Sequence, residues 1–114
     1  MRTMRARHAA LVAQIDHEVG CILETLRARG SMEATLIVVS SDHGDYLGDH
    51  GMAGKGSFCE AATHVPMLVR TPHVCESSEH TGLVELADVT ATILGHAGCR
   101  APGYMTPCPC QRQG

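Results

Sequence analysis

The chain has 114 residues, a formal net charge of −3, and two Tyr, one Phe and no Trp. Such a chain is one domain at most, with a small aliphatic core. It has no stripe of Lys and Arg interleaved with aromatics, so nucleic-acid binding lacks support.

The chain opens with Arg2, Arg5, Arg7 and His8, but no apolar segment follows, because Gln14, Asp16, His17 and Glu18 interrupt it. Neither a signal peptide nor a membrane span is expected, and a cytoplasmic location follows if the chain is complete. Six Cys occur (Cys21, Cys59, Cys75, Cys99, Cys108 and Cys110) without a Cys-x-x-Cys pair, which argues against a zinc ribbon. Reduced thiols are expected rather than a disulfide framework.

Residues 5–29 read as an amphipathic helix. Leu11, Ile15, Val19, Ile22 and Leu26 recur at spacings of four, four, three and four. Arg27 and Arg29 suit its last turn, and Gly30 suits the C′ position. Its expected role is to cover a sheet face, with Cys21 a buried thiol near the apolar side and Asp16 and His17 solvated.

After a short connection, Thr35–Val39 reads as a strand. Its near-continuous apolar run fits burial on both faces, and helix followed by strand suggests half of a right-handed βαβ unit. A Gly-rich loop runs from Ser41 to about Ser57, a helical turn is expected over Phe58–Thr63, and a second strand over Val65–Arg70. Leu83–Ala87 is read as a short strand, Asp88 as the N-cap of a helix over Val89–His96, and Gly98 as its stop. A single helix over Leu83–Ala97 is the other possibility. Residues 1–100 are expected to form a partial domain and 101–114 a disordered tail, with Cys108-Pro-Cys110 inside it.

The chemistry gathers between Ser41 and Gly56, which hold three Asp, two His, one Lys and five Gly. A strand that delivers acidic and imidazole groups at its C-terminal end is how open α/β sheets place their sites. Asp42 and His43 can both turn toward one divalent cation if the backbone leaves the extended state, which Gly44 permits. A carboxylate oxygen and an imidazole nitrogen suit metals from magnesium through manganese to zinc. An N-cap Asp beside a surface His would read the same way.

His50 suits a third ligand, a proton donor or a loop residue bonded to a backbone carbonyl, the last being favoured. Asp45 and Asp49 suit carboxylates that orient the histidines, or turn caps. Lys55, between Gly54 and Gly56, is not a phosphate-loop lysine, because Asp49 and Gly56 stand where Gly and Ser or Thr are needed. It remains an ammonium able to reach an anion. Cys59 with His64 as a thiol nucleophile and base is disfavoured, and no Gly-x-Ser-x-Gly elbow occurs.

At Ser41–Glu60 and Val65–Val69 the chain resembles the sulfatase family of the alkaline phosphatase superfamily. Ile15–Leu26, Thr35–Val39 and Asp88–Gly98 are similar to that family in the same order, so the resemblance spans roughly residues 7–100. It is greatest to bacterial-type sulfatases, including choline-sulfatase-like and phosphonate-monoesterase-like members.

The resemblance implies an α/β fold, here a partial sandwich of a mostly parallel sheet with helices on its faces. It implies a calcium, magnesium or manganese ion, with Asp42 and His43 matching two of its ligands. Lys55 matches the lysine that contacts the sulfate or phosphate oxygens. The implied activity is hydrolysis of sulfate, phosphonate or phosphate monoesters.

The family's nucleophile is a formylglycine made within a Cys/Ser-x-Pro/Ala-x-Arg motif, which does not occur in these 114 residues. The paired aspartates that complete the family's metal site are also missing. Cys59 stands where Tyr is usual, His64 where Arg is common and Ala91 where Pro is usual. The chain is therefore expected to match the later part of a catalytic domain and to lack activity alone. A non-catalytic metal-binding or interaction module, associating through an exposed sheet edge, is the alternative.

Overall fold

A computed structural model describes residues 2–74, 77–100, 102, 103 and 105. Cys75, Cys108, Cys110 and most of the expected tail lie outside the described residues. The chain divides into two units, Met1–His73 and Val74–Gly114.

The first unit begins with α1, Arg2–Ala28. It ends as its sequence requires. Gly30 takes a left-handed φ of 65°. Its amide donates to the Arg27 carbonyl (2.9 Å) and the Ser31 amide to the Leu26 carbonyl (3.0 Å), the paired bonds that close a helix on a C′ glycine. The expected burial of its apolar stripe is not observed. Leu11, Val12, Ile15 and Ile22 are 52% to 63% exposed, and α1 has no buried residue. Cys21 is accordingly an exposed free thiol rather than a buried one.

A 3₁₀ turn at Met32–Ala34 leads into β1, Ile37–Ser40. Only Ile37 and Val38 are half-buried, whereas Val39 and Ser40 are exposed. This corrects the expected strand buried on both faces. The loop beyond β1 contains β2 (Tyr46–Leu47), β3 (Ala53–Gly54) and the four-residue helix α2 (Glu60–Thr63). The chain returns as β4, Met67–Arg70.

The described strands form two small antiparallel pairs, β1 with β4 and β2 with β3. The expected mostly parallel sheet is therefore not found; the fold is a mixture of helices and small antiparallel sheets, compatible with the α/β class. The reason lies in the connection. A parallel neighbour needs a crossover that carries the chain back to the strand's starting end. Here Ser40 stands opposite Met67, and the Ser40 hydroxyl donates to the Pro66 carbonyl at 2.9 Å. The intervening loop thus leaves and re-enters at the same end of the sheet.

Arg70 secures the other end of this pair. Its guanidinium donates to the Met32 carbonyl (2.5 Å) and to Glu33 (2.9 Å). Burial in this unit concentrates at the loop, where Tyr46 is 1% exposed and Ala62 6%.

In the second unit, α3 spans Leu86–His96. No strand precedes it among the described residues of this unit, and the N-cap is Glu85, not Asp88. Asp88 is the N3 residue of a capping box: its carboxylate accepts from the Glu85 amide at 2.9 Å, and the Glu85 side chain receives the N3 amide. The expected strand over Leu83–Ala87 fails because this reciprocal cap starts the helix at Leu86. Gly98 ends it with φ 70°, its amide bonded to the Gly95 carbonyl (3.1 Å) and that of Cys99 to the Leu94 carbonyl (2.9 Å).

Candidate functional site

The loop after β1 brings Asp42, His43 and Lys55 together. Ser41 breaks the strand, its hydroxyl donating to the His43 carbonyl at 2.8 Å. The His43 amide donates to Asp42 Oδ1 at 3.0 Å, which folds the carboxylate back over the next residue. Gly44 then passes against α2, its amide donating to the Ala62 carbonyl at 2.8 Å. A Cβ at position 44 would lie 2.0 Å from the Ala61 carbonyl oxygen. Glycine is needed here for close approach.

This backbone fixes which nitrogen of His43 is free. His43 Nδ1 lies 2.8 Å from the Gly44 carbonyl oxygen. A carbonyl only accepts, so Nδ1 carries the hydrogen and Nε2 keeps its lone pair. Lys55 Nζ stands 2.5 Å from Nε2, donating to it. Asp42 Oδ2 lies 3.5 Å from the same nitrogen. Two electron-pair donors therefore sit side by side with no hydrogen between them, and a positive group lies against one of them. The Asp42 side chain is 82% exposed and that of His43 37%, so the pair is open to solvent.

The other loop candidates go elsewhere. His50 is exposed, with a left-handed φ of 54°, and makes no side-chain hydrogen bond among the described residues. Asp49 accepts from Arg5 at 2.9 Å instead of orienting a histidine, and Arg5 Nε also donates to the Leu47 carbonyl at 3.0 Å. Asp45 is exposed. No group of three or more His, Cys, Asp or Glu able to hold a metal occurs among the described residues. Asp42 and His43 can thus supply two ligands, not a closed coordination sphere.

The part played by Tyr46 and Ser57 is not legible in residue order. Tyr46 is the buried centre of the loop, and its hydroxyl makes a short hydrogen bond with that of Ser57. Ser57 also accepts from the Cys59 amide at 3.2 Å. Hydrogen bonds from Ser57, and then from Tyr46, hold the exposed Cys59 thiol below its ordinary pKa. His64 is not among those causes.

Comparison with known proteins agrees with the motif. The family described as Sulfatase matches residues 1–99. Arylsulfatase K of Danio rerio is 35% identical over 106 residues, covering 93% of this chain and 20% of that protein. Choline-sulfatase of Rhizobium meliloti (strain 1021) is 34% identical over 98 residues, covering 86% of this chain and 19% of that protein. The multifunctional alkaline phosphatase superfamily protein PehA of Trinickia caryophylli is 33% identical over 106 residues, covering 90% and 20%. The chain spans about a fifth of the length of these curated relatives. No solved structure matches it significantly. By its match over residues 1–99 and by these relatives, the chain belongs to the sulfatase family.

Proposed function

We propose that the Ser41–Gly56 loop is the cation- and anion-binding half of a site that hydrolyses sulfate monoesters, with phosphonate or phosphate monoesters as related substrates. Asp42 and His43 are the cation ligands, and Lys55 binds the substrate oxyanion. The observation that carries this reading is that Asp42 Oδ2 (3.5 Å) and Lys55 Nζ (2.5 Å) each stand beside His43 Nε2. Paired lone-pair donors beside an ammonium suit a divalent cation, for which the ammonium is a stand-in charge.

A bound calcium, magnesium or manganese ion would polarise an ester oxygen. The chain's own residues supply the rest. Gly44 orients the imidazole through its carbonyl, Asp42 contributes negative charge, and Lys55 stabilises charge on the oxygens of the transferring group. The nucleophile is outside this set, since no Cys/Ser-x-Pro/Ala-x-Arg segment occurs in the sequence.

The test is a titration of the 114-residue chain with manganese by calorimetry. Saturable one-site binding that disappears in His43→Ala is expected. Turnover of an aryl sulfate by this chain, abolished by Asp42→Ala, would overturn the assignment of the nucleophile to residues outside it.

A second reading, an interaction module, is favoured by the exposure of α1: Leu11, Ile15 and Ile22 of its apolar stripe are more than half exposed, whereas Val19 and Leu26 are half-buried. Each strand of the β1–β4 pair also has an edge with no paired strand among the described residues. Association through such an edge would appear as a concentration-dependent sedimentation coefficient.

A further inference from the structure

We infer that Lys55 is a tethered placeholder for the cation: its ammonium occupies the lone pair of His43 Nε2, and it is released toward an oxyanion only when a divalent cation takes that lone pair. This rests on the reading of Asp42 and His43 as cation ligands.

Three features of the loop carry it. First, Nε2 offers a single lone pair in the ring plane, and the Gly44 carbonyl at 2.8 Å keeps the ring's hydrogen on Nδ1. The imidazole has no second acceptor to offer, so ammonium and cation exclude one another there. Second, Lys55 has no other partner among the described residues; its one hydrogen bond is to His43 (2.5 Å), and it forms no ion pair with a carboxylate. An exposed ammonium spends its contact on a nitrogen, not a carboxylate. Third, Lys55 is flanked by Gly54 and Gly56, at φ 83° and 152°, with nothing within 4 Å of either Cβ position. Lys55 itself is exposed.

The consequence is an order of binding. Without a cation, Lys55 is spent on His43 and is a poor anion ligand. With one, it is freed. Because linkage between two sites is reciprocal, an anion that engages Lys55 must also tighten cation binding.

The experiment compares manganese binding to the 114-residue chain and to its Lys55→Met variant by calorimetry, with His43→Ala as control. Tightening by about fivefold or more is expected in Lys55→Met, the lower end of typical coupling between sites. Lys55 is the only lysine in the sequence, so a chain labelled with ¹⁵N-lysine gives one Nζ resonance. That resonance should move on magnesium titration toward the position it holds in His43→Ala without magnesium. Equal or weaker manganese binding in Lys55→Met, with His43→Ala still abolishing it, overturns the placeholder role and leaves the cation reading standing. No manganese binding in any of the chains overturns both.

Discussion

The amide of Gly44 donates to the carbonyl of Ala62 at 2.8 Å, and this bond fastens the residues that carry Asp42 and His43 to α2. The contact is backbone against backbone, so neither side can yield as a flexible side chain would. Gly44→Ala sets a methyl carbon 2.0 Å from the Ala61 carbonyl oxygen. Overpacking of this kind typically costs about 1–3 kcal/mol. Urea unfolding should show a lower midpoint for Gly44→Ala, together with loss of manganese binding; an unchanged midpoint would mean that the loop does not rest on α2.

Cys59 should be the most reactive thiol among the three described free cysteines. Hydrogen bonds from Ser57 and Tyr46 favour its thiolate, and the thiolate is the nucleophile. Iodoacetamide alkylation, followed by peptide mapping across pH, should place the Cys59 midpoint below that of an ordinary cysteine thiol. Ser57→Ala should raise it. The linked stability has a definite sign: a lowered pKa adds stability that is fully present above the unfolded thiol's pKa and is lost as pH falls through the lowered one. An unchanged Cys59 profile in Ser57→Ala would remove the role assigned to Ser57.

The exposed stripe of α1 predicts a mutational pattern opposite to that of a core helix. Ile15 and Ile22 are 63% and 61% exposed. Ile15→Gln with Ile22→Gln should therefore shift stability by less than about 0.5 kcal/mol per site, against about 2–5 kcal/mol for truncating a buried Ile. Binding of an apolar dye should fall in the double variant. A collapse of the thermal transition would show that the stripe is covered in solution.

The capping box of α3 gives a prediction confined to the second unit. Asp88→Ala removes the acceptor of the Glu85 amide and should cost about 0.3–1.5 kcal/mol. Hydrogen exchange would locate the effect in the first turn of α3. Protection lost evenly along the helix would instead mean that Asp88 acts on the whole element.

What could be read from residue order alone divides along physical lines. Gly30 and Gly98 were legible as helix ends because a left-handed C′ position selects glycine by local sterics, whatever surrounds it. Asp42, His43 and Lys55 were legible as candidates because their chemistry is intrinsic to their type. The contact between His43 and Lys55, twelve positions apart, was not legible: it depends on how the Gly-rich loop folds back. The pairing sense of β1 and β4 was hidden for a similar reason, since an apolar run specifies burial better than direction. Asp88 misled because N-cap and N3 of a capping box both favour an acidic residue near a helix start.

The facing of Ser40 and Met67 gives the loop a modular character. Its two ends are held next to one another by the β1–β4 ladder and by the bond from Ser40 to the Pro66 carbonyl. Extra residues placed between them need not pull the strands apart, and doubling a flexible loop's length costs only about 0.6 kcal/mol in closure entropy. The paired stem therefore lets the Ser41–Pro66 excursion grow at its tip without separating Ser40 from Met67.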